Sequence, residues 1–136
     1  MYNRIIVAVD LSDSGQGKGL LERAKKLVDA GGEIRLLHVL EEVPSYIAAE
    51  LPGDLSDRRR AEARMELKSL AADSDARIEP EVRTGAASAQ ILEAAEDSNA
   101  ELIMIASHKP GLSDFFIGST AARVVRHAQC SVLIVR

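Results

Sequence analysis

The residues best suited to chemistry lie in one stretch, Ala106-Ser107-His108-Lys109-Pro110-Gly111 through Gly118-Ser119-Thr120-Ala121, between two apolar runs. A glycine at 118 lets a backbone come close to a ligand. Ser119 and Thr120 add hydroxyl groups beside the unpaired N–H donors of a helix that begins there. Such a helix start holds phosphate well, and His108 and Lys109 supply further donors nearby. Gly-Ser-Thr is equally an ordinary capping sequence, so the triplet alone admits both roles. A second chemical group, Asp10, follows the run Ile5-Ile6-Val7-Ala8-Val9. Its carboxylate suits the acceptance of ribose hydroxyls, and it suits the capping of a loop just as well. His38 and His127 read as structural or solvent-facing. Only His108 and Ser119 stand out as isolated candidates for a base and a nucleophile, which does not specify efficient catalysis.

Two glycine motifs are tested by their spacing. Gly15-Gln16-Gly17-Lys18-Gly19 would need a third glycine at position 20 for a dinucleotide fingerprint, and that residue is Leu20. No G-x4-G-K-[ST] run occurs, so a P-loop is absent as well. These glycines read as flexible over a pocket, or as neutral.

Short β-branched and apolar segments alternate with amphipathic ones. Ile5 to Val9 predicts a strand buried on both faces. Leu20, Leu21, Ala24, Leu27 and Val28 then share one helical face before Gly31-Gly32, which is expected to stop that helix. Ile34 to Val39 reads as strand two. An irregular excursion over 41–54 follows, with Pro44 and Pro52, and then a helix over about 56–72 with Ala63, Leu67 and Leu70 inward and its run Arg58-Arg59-Arg60 on the wet face. Ile78 to Val82 contains Pro80, which cannot donate to a ladder and so belongs at a sheet edge. A helix with Ile91, Leu92 and Ala95 inward, a strand over Leu102 to Ala106, a helix over about 119–128 and a strand over Val132 to Val135 complete the chain.

Strands alternating with helices imply right-handed crossovers: an α/β fold with an open parallel five-stranded sheet and helices on both faces. The order 3-2-1-4-5 puts Pro80 at an edge. It also sets strands one and four side by side where the winding reverses, and ligands bind open α/β sheets at that switch point. A site beside Ala8, Val9, Asp10, Ile105 and Ala106 is expected. The 136 residues, 46% apolar, fit one domain over 1–136. A net charge of -4 with scattered basic residues gives no reason to expect nucleic acid or an anionic membrane as partner. The lone Cys130 rules out an intramolecular disulfide, and no apolar run reaches membrane-span length, so a cytoplasmic location is expected.

Over its full length the chain resembles the universal stress protein family, in the form of its F/G-type nucleotide-binding subgroup. The resemblance is carried by Ile5 to Asp10, Leu37-His38-Val39, Ile105-Ala106-Ser107-His108, Gly118-Ser119, and Val124-Val125-Arg126-His127-Ala128 through Val132 to Arg136. It implies a Rossmann-like stress-response regulator that binds ATP or AMP and forms a homodimer; magnesium bridging the phosphates would offset their charge, and strand five over 131–136, an edge with neither proline nor internal charge, is expected to make the dimer contact. In the family's pattern Asp10 meets the ribose and the peptide of Val39 reads the adenine edge. Ala8, Val9, Ile105 and Ala106 line the base and ribose; Ser107, His108, Lys109, Gly118, Ser119, Thr120 and Ala121 surround the phosphates. The chain departs from that pattern where Ala106 replaces a glycine and where the loop before Gly118 is one residue shorter. A partner-binding stress protein with an empty crevice is the competing reading, and slow ATP hydrolysis or self-phosphorylation is a variant of the first.

Overall fold

The computed structural model describes residues 1–42, 44–72, 74–107 and 118–136. Five strands run β1 (Tyr2–Ala8), β2 (Val28–Leu40), β3 (Arg77–Thr84), β4 (Leu102–Ala106) and β5 (Ser131–Val135). All pair in parallel, in the order β3-β2-β1-β4-β5. The helices are α1 (Ser14–Leu27), α2 (Ser45–Ala48), α3 (Leu55–Ala71), α4 (Ala87–Ser98) and α5 (Ser119–His127).

Alternation along the strands divides the core into two layers. Ile5, Val7, Ile34, Leu36, Leu102 and Met104 face Leu20, Leu21 and Ala24 of α1 and Leu67 of α3. Ile6, Leu37, Ile103 and Ile105 face Ile91, Ala94 and Ala95 of α4 and Ala121 and Val124 of α5. β1, β2, β4 and β5 therefore carry apolar residues at successive positions, as a sheet covered on both faces requires, whereas the edge strand β3 alternates Ile78, Pro80 and Val82 with charged residues. Pro80 sits opposite Leu36 on β3, the edge strand, where its missing N–H costs no ladder bond on the open side.

The start of β2 corrects the expectation for the first helix. Gly31-Gly32 does not end α1; the helix stops at Leu27, and Val28 is already extended at φ -74° and ψ 138°. Val28 pairs with Tyr2 and begins β2, and Leu27 is 36% exposed instead of facing the core. The pairing then jumps from Tyr2↔Val28 to Arg4↔Glu33, so the extra residues bulge out of β2. Gly31, at φ +80°, supplies the left-handed residue that the bulge needs. The 41–54 excursion contains the short α2, and α3 begins one residue before the expected start.

Candidate functional site

The polypeptide opens a cleft of about 490 Å³ at the C-terminal ends of β1, β2 and β4. This is the switch point, because α1 and α3 cover one face of the sheet and α4 and α5 the other. Ala8, Leu37, Val39, Ile91 and Ile105 contribute apolar surface to its wall, while Asp10, Gln16, Glu41, Arg59 and Thr120 add polar groups. Its volume lies within the usual range for a small-molecule site, and a mainly apolar lining with a few polar groups suits a flat heterocycle joined to a polar sugar.

Asp10 lies two residues beyond β1 and turns the chain. Its Oδ1 accepts from the Ser12 amide at 2.9 Å and from the Ser12 hydroxyl at 2.6 Å, and its carbonyl accepts from the Asp13 amide at 3.0 Å. The carboxylate thus caps its own loop while also lining the cleft. Asp13 in turn caps α1 by accepting from the Gln16 amide at 3.2 Å, which brings Gln16 to the same wall.

The end of β2 is positioned by hydrogen bonds of alternating direction. The Val9 amide donates to the Leu37 carbonyl at 2.8 Å, on the β1 side, and the Gly85 amide donates to the Leu40 carbonyl at 2.9 Å, on the β3 side. Two residues beyond Leu37, the peptide of Val39 turns toward the β1 side again, past the point where β1 ends. Val39 lines the cleft there. His38 Nδ1 lies 2.8 Å from the Val9 carbonyl, and since a carbonyl only accepts, Nδ1 carries the proton. The imidazole holds β1 and β2 together at the cleft, a structural role of the kind its sequence position suggested.

Across the cleft, β4 continues into Ser107, which is 3% exposed. Its amide donates to the Val135 carbonyl at 3.0 Å and its carbonyl accepts from the Gly118 amide at 2.7 Å. That second bond ties the two ends of segment 108–117. Gly118 is the N-cap residue of α5, at φ -56° and ψ 153°, and no side chain caps the helix start. A Cβ on Gly118 would stand 2.6 Å from the Ser107 carbonyl oxygen. Its glycine is therefore accounted for by close approach to that carbonyl, since its φ is one any residue adopts.

Of the expected site residues, Ala8, Val9, Asp10, Val39, Ile105, Ala106 and Thr120 share the cleft wall. Ser107, Gly118, Ser119 and Ala121 flank it: Ser119 is exposed and Ala121 is 1% exposed against α4. His108 and Lys109 lie outside the described residues. The sequence reading missed the polar or charged Gln16, His38, Glu41 and Arg59 at the wall, and the apolar Leu37, Leu40, Ala87 and Ile91. Arg59 also corrects the expectation that the whole arginine run is solvated; a period-3.6 count from Ala63 and Leu67 places position 59 one turn before Ala63 on the same helical stripe, which was the available signal.

The chain matches the universal stress protein family over residues 1–136. It belongs to the universal stress protein family. Universal stress protein G of Shigella flexneri is 32% identical over the full length of both chains. Among solved structures, the protein MJ0577 superimposes with a TM-score of 0.82 at 24% identity, covering 99% of this chain and 96% of that one. A universal stress protein in complex with cAMP superimposes with a TM-score of 0.63 at 25% identity, covering 99% and 97%. Both solved structures share the α/β fold of this chain. Among the described residues, no helix is long and apolar enough to cross a membrane.

Proposed function

We propose that this chain is a regulator in the stress response that binds an adenine nucleotide, ATP or AMP, in the switch-point cleft. The observation that carries the proposal is the convergence in one cleft of an apolar lining, the Asp10 carboxylate, the Val39 peptide and the start of α5 at Thr120. The related protein solved with cAMP supports the same ligand class. The base lies against Leu37, Val39, Ile91 and Ile105, where burial of its faces drives binding. Asp10 receives the ribose hydroxyls. The phosphates lie toward Gly118, Ser119 and Thr120, where the N–H donors of α5 have no side-chain cap. Magnesium would arrive with the nucleotide and offset part of the phosphate charge, since no cluster of three metal-binding side chains occurs among the described residues.

A second copy pairs along β5. This edge strand lacks proline and internal charge, and Leu133 is 37% exposed, so its open peptide groups and apolar side chains suit a self-complementary twofold contact.

Isothermal calorimetry with ATP and AMP in magnesium buffer tests the nucleotide site. Saturable binding by the folded protein is expected. No heat up to millimolar nucleotide refutes the proposal and leaves partner binding through the same fold as the reading to pursue.

A further inference from the structure

Helix α3 carries four arginines, Arg58, Arg59, Arg60 and Arg64, whose surroundings differ. Arg58 pairs with Asp54 at 3.3 Å, Arg60 donates to the Thr84 hydroxyl at 3.2 Å, and Arg64 donates to the Pro80 carbonyl at 3.3 Å. These three tie α3 to its own start and to the edge strand. Arg59 is half-buried, lines the cleft, and has neither an ion pair nor a hydrogen bond among the described residues. Among the described residues of the wall it is the single guanidinium or ammonium, on a cleft that Asp10 and Glu41 also line.

Its place in the cleft indicates which part of a ligand it meets. α3 packs on β3 and β2, so Arg59 comes in from the β2 side, with Leu40 and Glu41. Thr120 and the start of α5 stand on the β4 side, beyond β1. Parallel strands are spaced about 4.8 Å apart, so β2 and β4 are separated by about 10 Å, roughly the span from the base of a mononucleotide to its first phosphate. A ligand with its phosphates at α5 thus presents its base to Arg59.

We infer that Arg59 is a base-contacting specificity residue, laying its guanidinium plane against the purine of the nucleotide bound in the cleft. A guanidinium is planar, weakly hydrated and attracted to aromatic faces, and the absence of a competing partner leaves it available for that contact. This inference rests on the proposed nucleotide site and adds to it a residue far from the start of α5. The contact favours the wide face of a purine over a pyrimidine.

The test compares ATP and adenosine binding by calorimetry in wild-type protein, R59A and R59M, the last keeping the helix and most of the stem without the charge. Circular dichroism verifies the fold of each. Both variants are expected to lose about three- to thirtyfold in affinity, by the same factor for ATP and for adenosine, because the contact is to the base. Unchanged affinities in either variant overturn the inference. Loss for ATP with unchanged adenosine binding also overturns it, since Arg59 would then act on the phosphates. Failure of the wild-type protein to bind either ligand instead refutes the nucleotide site itself, which keeps the two outcomes distinct.

Discussion

Replacing Gly118 by alanine isolates one contact between the residue after β4 and the residue before α5. The added Cβ stands 2.6 Å from the Ser107 carbonyl oxygen, whereas carbon and oxygen settle at about 3.3 Å. The two must separate by about 0.7 Å, and the obstacle is backbone, which cannot rotate aside as a side chain does. An opening of that size along the Gly118–Ser107 hydrogen bond carries it from 2.7 Å to about 3.4 Å, outside good N–H···O geometry. Loss of the bond costs about 0.5–1.5 kcal/mol, and the steric displacement costs about 1–3 kcal/mol. Backbone strain adds nothing, because φ at this position is -56°. The expected destabilisation of G118A is therefore about 2–4 kcal/mol, measured by urea unfolding followed by circular dichroism. Gly53 has no atom within 4 Å of its would-be Cβ, so G53A serves as a control expected to change stability by less than about 0.5 kcal/mol. If G118A unfolds with the wild-type midpoint and slope, the close approach between Ser107 and Gly118 does not govern this end of the fold. In the folded fraction of G118A, ATP affinity should also fall, because Thr120 leaves the cleft wall with the helix start.

Two helical glycines should respond with opposite signs. A Cβ on Gly17 meets Val9 Cγ1 at 2.6 Å, so overpacking of about 1–3 kcal/mol exceeds the helix-propensity gain of about 1 kcal/mol and G17A lowers the urea midpoint. At Gly19 the nearest atom is Arg23 Nη1 at 3.5 Å, an ordinary contact, so G19A raises the midpoint, with a gain in stability of about 0.5–1 kcal/mol. Glu81 receives hydrogen bonds from Arg35 at 2.9 Å and from Arg83. Burial works to raise its carboxyl, but the bonds from Arg83 and Arg35 outweigh it and hold the carboxyl below the usual range. A folded carboxyl held low contributes stability that is complete above its unfolded value and is lost as pH falls through the folded one. Unfolding midpoints should therefore decline below about pH 4.3 less steeply in E81Q than in wild type. Analytical ultracentrifugation should show a two-chain species at micromolar concentration; a single-chain mass would reject pairing along β5 while leaving the cleft unaffected.

Strand order and the place of the cleft were legible in the residues because each rests on local pattern. Four short apolar runs and the alternating segment Ile78 to Val82, separated by helical stripes, point to a sheet covered on both faces, and Pro80 places its strand at an edge. Asp10 after one run and Gly118-Ser119-Thr120 before the last helix mark the strand ends that such an order brings together. What depended on distant partners was not legible. The stop of α1 at Leu27 follows from Val28 pairing with Tyr2, so strand pairing overrides a helical stripe that the local sequence would have continued. The glycine at 118 follows from the Ser107 carbonyl, eleven residues away along the chain but 2.6 Å from its Cβ position. Gly17 follows from Val9, through the close packing of α1 on the end of β1. Arg59 could not be told from its neighbours Arg58 and Arg60 by type. Periodicity assigns a face to each residue, but only the docking of α3 against β2 and β3 decides which guanidinium is tied to the surface and which reaches the cleft.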